Sequence, residues 1–287
     1  MKLRRVPQGA ADVWRLVRLH ARPSLQDVDD VSPAGPEPDG SGIVVSLTTV
    51  PSRIARILPA LNSLLDQTVI PDRIFVALPS HSTRERTGYV VPDELHANPR
   101  VTVLPSCRDW GPATKVIPAL LRMADTPDAA ILAVDDDNVY PRTFVETFRR
   151  FATLLPDAAL SLRGYAVPTS RRWRDCREFP GTKITAPART DIVQGCGGIL
   201  VRPRFFDADF LDYAAAPSEA FFVDDIWISG HLARRGIARY VVPFSGAFIY
   251  LPSLATFSGS ALDWGVNRSG RNNDVLMDHF SADWRRA

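Results

Sequence analysis

The chain has 287 residues, of which 45% are hydrophobic and 23% are charged. Its formal net charge is +2, from 34 Lys and Arg residues against 32 Asp and Glu residues. This composition is that of an ordinary globular protein and excludes a disordered chain. The near-neutral charge gives no reason to expect nucleic acid as a partner. The three cysteines have neither zinc-site nor disulfide-framework spacing, and the sequence favours a cytoplasmic location.

The first 22 residues carry six basic side chains against one acid, and they predict a short amphipathic helix. Val13, Leu16, Val17 and His20 share one predicted face. Two interpretations stay open: the helix packs on its own domain, or residues 1–22 hold the chain peripherally at the inner face of a membrane through apolar burial and attraction to anionic lipid. Residues 23–42, with four prolines and three glycines, predict a linker that completes an N-terminal region 1–42.

From Ile43 onward, short apolar runs alternate with helix-length segments. The predicted strands are Ile43–Leu47, Arg73–Leu78, Val101–Leu104, Ile131–Val134 and Ala158–Leu162, and the predicted helices are Arg53–Leu65, Ala113–Met123 and Phe144–Leu155. This alternation predicts an α/β fold with a mainly parallel central sheet flanked by helices. In such folds, ligands bind beyond the carboxyl ends of the strands. We expect the catalytic domain at 43–252 and a loop and tail that close over the active site at 253–287.

Three carboxylates follow the apolar strand ILAV directly, at Asp135, Asp136 and Asp137. In an extended chain Asp135 and Asp137 point the same way, and two carboxylates about 6 Å apart repel by about 3 kcal/mol at an effective dielectric constant of about 20. A divalent cation shared with a substrate diphosphate would relieve that repulsion, because carboxylate oxygens suit Mg²⁺ and Mn²⁺. The alternative is a solvated turn that precedes the next helix.

A second acidic pair, Asp224 and Asp225, lies in FFVDDIWISGHLARRG at the predicted start of a helix. The helix dipole stabilises ionised carboxylates there. A carboxylate beside this apolar and aromatic segment is a candidate general base, and N-terminal capping of the helix is the alternative.

With both motifs placed, residues 43–250 resemble the nucleotide-sugar glycosyltransferases of the GT-A fold, in particular family-two-like enzymes. VVSLTTVPSRI is similar to their first strand and nucleotide-binding loop, VDDD to their DxD motif, and VDDIW to their later catalytic motif. The triplet and DDI also resemble the carboxyl-terminal domain of the exostosin family, so inversion or retention of configuration stays open. The chain departs from family two in Asp224, where Glu is usual, and in lacking the QxxRW element of processive synthases.

The resemblance implies a Rossmann-like GT-A fold, a Mn²⁺ or Mg²⁺ cofactor on Asp135 and Asp137, and Asp225 or Asp224 as the base. It implies His279 as a third metal ligand by position, although a lone His is more often structural. The residues that it implies for nucleotide and donor binding are Thr48, Thr49, Arg53, Asp109, Lys115, Asp136, Gly197, Arg268 and Arg271. For Lys115 and Arg53, the alternative is an ordinary surface charge.

The predicted activity is therefore transfer of a sugar from a nucleoside-diphosphate sugar to a glycan or lipid-linked acceptor, in cell-surface polysaccharide biosynthesis. A nucleotidyltransferase of related fold is one alternative, although such enzymes usually carry a Gly-rich, basic phosphate loop after the first strand, where this chain has LTTVPSR. A non-catalytic protein that binds nucleotides or sugars is the other.

Overall fold

The computed structural model describes residues 10–21, 42–246, 249–250 and 267–284. Its α-helices are α1 (Ala10–Ala21), α2 (Leu58–Leu65), α3 (Ile117–Arg122), α4 (Phe144–Leu154), α5 (Asp224–Arg234) and α6 (Arg271–His279). Its strands are β1 (Ile43–Thr48), β2 (Arg73–Pro79), β3 (His81–Ser82), β4 (Thr87–Gly88), β5 (Val101–Ser106), β6 (Ala130–Val134), β7 (Asn138–Val139), β8 (Ala158–Ser161), β9 (Arg163–Ala166), β10 (Arg177–Pro180), β11 (Ala188–Arg189), β12 (Ile192–Val193), β13 (Ile199–Val201), β14 (Ala238–Val241) and β15 (Ile249–Tyr250). No helix among these residues is both long enough and apolar enough to cross a bilayer.

Eight strands form the central sheet, in the order β11-β14-β8-β13-β6-β1-β2-β5. Strand β1 pairs in parallel with both β2 and β6, and β2 pairs in parallel with β5. Strand β13 runs antiparallel to β6 and β8, and β11 runs antiparallel to β14. The predicted α/β class, with a mainly parallel sheet flanked by helices, is confirmed.

The sheet carries a hydrophobic core on each face, because its central strands are buried on both sides. On β6, Ile131 and Ala133 pack into the core that α3, α5 and α6 complete, whereas Leu132 and Val134 pack into the core that α2 and α4 complete. Because helices cover both faces of the sheet, polar side chains collect at the ends of the strands.

Two predicted helices are shorter than the sequence pattern indicated, and a proline accounts for each difference. Helix α2 begins at Leu58 with Pro59 in its first turn, and a separate 3₁₀ turn covers Ile54–Arg56. Helix α3 begins at Ile117 with Pro118 in its first turn, after the 3₁₀ turn Gly111–Lys115. Proline lacks the backbone N–H that a helix interior needs, so it marks the first turn of a helix.

The terminal regions are described only in part. Residues 23–41 of the predicted linker and residues 253–266 of the predicted closing loop and tail lie outside the described residues. Within the loop and tail predicted at 253–287, the structure has helix α6 from Arg271 to His279. The domain boundaries at 42 and 252 stay predictions.

Candidate functional site

The candidate site lies at the carboxyl edge of the sheet, where β1 and β6 run side by side in the same direction. Thr49 follows β1, and the Asp135–Asp137 triplet follows β6. Their closeness is a direct result of the parallel pairing, since parallel strands end at the same edge. The structure brings Thr49 and Asp136 into hydrogen-bond contact, with Thr49 Oγ1 donating to Asp136 Oδ2 at 2.5 Å.

The three carboxylates of the triplet have different partners. Strand β6 ends at Val134 and the chain turns at Asp136, so the backbone is not extended there, but the side chains of Asp135 and Asp137 are each 29% exposed whereas that of Asp136 is 5% exposed. Asp135 accepts a hydrogen bond from Lys115, whereas Asp136 and Asp137 lie on the side of Arg53. The turn separates the negative charges between two cations, which reduces their mutual repulsion.

Tyr140 fixes the start of that turn. Its hydroxyl accepts a hydrogen bond from the backbone N–H of Asp135 at 3.0 Å and donates one to the carbonyl oxygen of Asp135 at 2.7 Å. The Tyr140 side chain is fully buried and packs against Phe144 of α4. Tyr140 was missed as a site residue, although it lies only six residues after the end of β6 and three after Asp137.

Lys115 joins the two acidic motifs. Its Nζ atom lies 2.8 Å from Asp135 Oδ1 and 2.9 Å from Asp224 Oδ2, and its side chain is only 5% exposed. Burial alone would lower the pKa of Lys115, but the charges of Asp135, Asp224 and Asp225 outweigh that effect and raise the pKa well above its ordinary value. The interpretation of Lys115 as a surface lysine was therefore wrong.

Two glycines allow this convergence. Gly111 has φ of +60°, and a Cβ atom there would lie 2.1 Å from the carbonyl oxygen of Phe221, so the turn that carries Lys115 approaches the backbone just before α5. A Cβ atom at Gly195 would lie 2.5 Å from Lys115 Nζ and 3.1 Å from Asp225 Oδ1. Gly195 was missed as a site residue because sequence alone did not show which glycine of the Gly195–Gly198 run faces the site.

Arg53 compensates the charge on the other side of the triplet. Its guanidinium lies 2.9 Å from Asp136 Oδ1 and 3.8 Å from Asp137 Oδ2. Burial would lower the pKa of Arg53, but Asp136, Asp137 and Asp135 together raise it. Arg53 is thus part of the acidic cluster, and its interpretation as an ordinary surface charge was wrong.

Asp137 is the carboxylate of the triplet that its surroundings compensate least. Burial, followed by the charges of Asp136 and Asp135, raises the pKa of Asp137 to about 7, and Arg53 at 3.8 Å offsets only part of this. Its side chain is 29% exposed, as is that of Asp135. Asp137 is therefore open to a cation that arrives from solvent.

Helix α5 begins at Asp224, as predicted, and its first two residues have different surroundings. Asp224 is buried and paired with Lys115. Asp225 is partly exposed, and its Oδ1 accepts the backbone N–H of Gly195 at 2.8 Å. Burial and the neighbouring Asp224 raise the pKa of Asp225 well above its ordinary value. Asp225 is accordingly the member of the pair that a substrate can reach.

Several residues that the resemblance implied have other contacts. Thr48 donates its hydroxyl hydrogen to the carbonyl oxygen of Ala77 on β2. Asp109 accepts the backbone N–H groups of Thr83 and Gly111, as a residue that shapes a turn does. Gly197 packs against the backbone of Arg163, where a Cβ atom would lie 2.8 Å from the backbone nitrogen.

The residues expected from the carboxyl-terminal segment lie on or beside α6. Arg268 and Arg271 are exposed, and the neighbouring Asn267 donates a side-chain hydrogen bond to the carbonyl oxygen of Phe222, two residues before Asp224. His279 stacks on Trp227 with ring centroids 6.0 Å apart, and it meets Phe280 edge to face. The roles predicted for these residues in diphosphate and metal binding stay predictions.

The described residues contain no group of three or more His, Cys, Asp or Glu side chains arranged to hold a metal ion. The partly exposed carboxylates of Asp135 and Asp137 nevertheless fit a Mg²⁺ or Mn²⁺ ion that shares its ligands with a substrate. Mg²⁺ is usually bound by one or two carboxylates together with substrate phosphates, with water completing its shell.

No protein-family model matches the chain, and no curated protein matches it. Among solved structures it is similar to a Bacillus anthracis protein described as a glucose-1-phosphate thymidylyltransferase, in complex with sucrose. The two chains are 12% identical, and the match covers 83% of this chain and 95% of the other at a TM-score of 0.35. A likeness this slight supports no particular activity.

Proposed function

We propose that this chain is a glycosyltransferase that moves a sugar from a nucleoside-diphosphate sugar to a hydroxyl group of a glycan or lipid-linked acceptor. The observation that carries the proposal is the contact of Lys115 with Asp135 and Asp224, which joins both acidic motifs into one site. The sequence resemblance to GT-A enzymes rests on the same two motifs. Cell-surface polysaccharide is the proposed destination of the sugar.

Sugar transfer from such a donor needs positive charge beside the leaving diphosphate. Lys115 and Arg53 supply permanent positive charge at the sheet edge, and both are held in place by carboxylates. A Mg²⁺ or Mn²⁺ ion on Asp137 and Asp135 would add Lewis acidity at the diphosphate. Asp136, buried between Thr49 and Arg53, orients Arg53 toward that position.

An inverting reaction also needs a base for the proton of the acceptor hydroxyl group. Asp225 is assigned this role because it is partly exposed and oriented by the backbone N–H of Gly195. Asp224 is assigned a structural role, since its buried carboxylate holds Lys115. This assignment separates two neighbouring residues that the sequence left as alternatives.

The test is release of nucleoside diphosphate from a panel of nucleotide sugars, with Mn²⁺ and with a chelator, followed by transfer to glycan acceptors. We expect release from one donor class only with metal present, and a rate lowered by about 10²–10⁴ in Asp225→Asn. In the parent protein, the nucleotide at 100 times its Kd should stabilise the folded state by about 2.7 kcal/mol when metal is present. Asp137→Asn is expected to abolish this metal-dependent stabilisation. Asp128→Asn, at an exposed carboxylate, is the matched control and leaves both readouts unchanged.

Adding nucleoside triphosphates with sugar 1-phosphates to the panel separates the alternatives. A nucleotidyltransferase would release pyrophosphate from these pairs and would release no nucleoside diphosphate from nucleotide sugars. A binding protein would be stabilised by nucleotide without either product. Either result would overturn the proposal.

A further inference from the structure

Helix α1 is attached to the domain by one face. Leu19 is fully buried with Ala60 and Val139, and Leu16 packs against the same cluster. The side-chain amide of Asn62 donates a hydrogen bond of 3.0 Å to the carbonyl oxygen of Leu19. The helix therefore has a defined orientation on α2, and its opposite side is turned away from the domain.

That opposite side, here called the outer face, consists of Val13, Trp14 and Val17. These side chains are 47%, 64% and 59% exposed. Val17 lies four residues after Val13 and three after Trp14, the two spacings at which side chains are neighbours on a helix, so the three form one apolar patch. Only six large hydrophobic side chains are exposed in the part of the chain that the structure describes, so half of them fall within one turn of α1.

Positive charge lies beside the outer face at Arg18, whose side chain is 36% exposed, whereas that of Arg15 is 17% exposed and is paired with Asp66 toward the domain. Asp66 is approached by three guanidinium groups, with Arg15 at 3.0 Å, Arg18 at 3.1 Å and Arg142 at 3.6 Å. Three cations around one carboxylate leave an excess of positive charge there. Arg18 also lies over the ring of Trp14, 5.3 Å from its centroid, which places a cation against the exposed indole.

We infer that the outer face of α1 binds an anionic lipid surface. Apolar side chains enter the boundary between headgroups and acyl chains, and an exposed tryptophan favours that boundary. Arg18 and Arg142, whose side chains are 36% and 61% exposed, attract anionic headgroups, and each cation near the surface raises the affinity roughly fivefold. Three side chains in one helical turn cover far less than the roughly 800 Å² per partner of a stable protein interface, so lipid is the occupant that they fit.

The test uses the full-length protein and needs no sugar donor, so it is independent of the proposed function. Co-sedimentation is measured with vesicles of phosphatidylcholine alone and with vesicles of phosphatidylcholine and phosphatidylglycerol in equal amounts. We expect binding to the mixed vesicles only, weakened by salt because the attraction is screened. The double variant Trp14→Ser, Val17→Ser is expected to bind about tenfold more weakly, because it loses most of the apolar area that enters the lipid.

The matched control is Val90→Ser, which removes an exposed valine, 86% exposed, that lies outside α1. It should bind the mixed vesicles like the parent protein, and circular dichroism should show that all variants keep the fold. The inference is overturned if the parent does not bind mixed vesicles, if it binds neutral vesicles equally well, or if the double variant binds as well as the control. Self-association that the double variant abolishes, without vesicle binding, would instead identify the outer face as a protein interface.

Discussion

The Nζ atom of Lys115 lies 2.9 Å from Oδ2 of Asp224, so a buried ammonium group at the end of a 3₁₀ turn meets the first residue of α5. The same ammonium donates a hydrogen bond to Asp135 at the end of β6. One side chain thus connects three segments that are far apart in the sequence. Its charge makes the carboxylates beside it tolerable in a buried position.

Lys115→Met removes this charge while keeping most of the side-chain volume. We expect a loss of about 3–5 kcal/mol in the free energy of unfolding, because buried carboxylates would remain without their cation. Denaturant unfolding measures this loss. Lys183→Met, at an exposed lysine, is the control and should change stability by less than about 0.5 kcal/mol.

Asp224→Asn in the Lys115→Met background tests the pair itself. Removing both charges leaves fewer unpaired groups than removing one, so the double variant should be more stable than the sum of the two single losses predicts, by about 0.5–3 kcal/mol. Strict additivity of the two losses would show that Lys115 and Asp224 do not interact.

Gly195→Ala introduces a methyl group at the cluster. Its Cβ atom would lie 2.5 Å from Lys115 Nζ, so the ammonium must leave its contacts or the turn must move. We expect a loss of about 1–3 kcal/mol in stability, together with a loss of nucleotide-dependent stabilisation. Thermal unfolding with and without nucleotide measures both. Gly88→Ala is the control, since its Cβ atom would meet its nearest neighbour at an ordinary 3.5 Å.

The sequence predicted five of the eight strands of the central sheet, because buried parallel strands appear as short continuous apolar runs. The run ILAV gave the position of β6 almost to the residue, and the acidic residues after it were correctly placed at a sheet edge. The shortened helices were also within reach of sequence reasoning, because Pro59 and Pro118 each mark a first turn.

The pairing of charges could not be read from the sequence. Which cation meets Asp135 depends on the approach of Gly111 to Phe221, a tertiary contact with no periodic signal. The sequence analysis assumed an extended backbone for Asp135–Asp137, whereas a turn begins after the end of β6 and the three carboxylates divide between Lys115 and Arg53. The burial of Lys115 follows from the same tertiary contacts. The residue type alone predicts the opposite, because lysine side chains are mostly exposed in folded proteins.

His231 gives a prediction about pH. It is 1% exposed, packs on Phe210, Trp227 and Phe280, and neither ring nitrogen has a hydrogen-bond partner in the described part of the chain. Burial, assisted by the charge of Arg234, lowers the pKa of His231 from 6.5 to about 3. Asp207 opposes this shift and His279 adds to it.

The unfolded chain therefore binds a proton at His231 between pH 6.5 and about 3, whereas the folded chain does not. Stability is unaffected by this residue above pH 6.5 and falls as the pH decreases through that window, by up to about 1.4 kcal/mol per pH unit. His231→Leu removes this dependence. Urea unfolding of both proteins at several pH values should show the variant gaining relative to the parent as the pH falls, and a constant difference would contradict the assignment.

Gly230 of α5 allows the close approach of α6. A Cβ atom at this position would lie 2.2–2.4 Å from three atoms of the Phe280 ring, which is fully buried and also packs on Trp227 and Trp284. Gly230→Ala should destabilise the protein by about 1–3 kcal/mol in spite of the better helix propensity of alanine, because the ring has no room to move. In a Phe280→Leu background the smaller side chain leaves space, so the same change should be neutral or stabilising by up to about 1 kcal/mol. Denaturant unfolding of the four proteins measures this reversal of sign, and an equal cost in both backgrounds would mean that the contact with Phe280 is not the reason for glycine at this position.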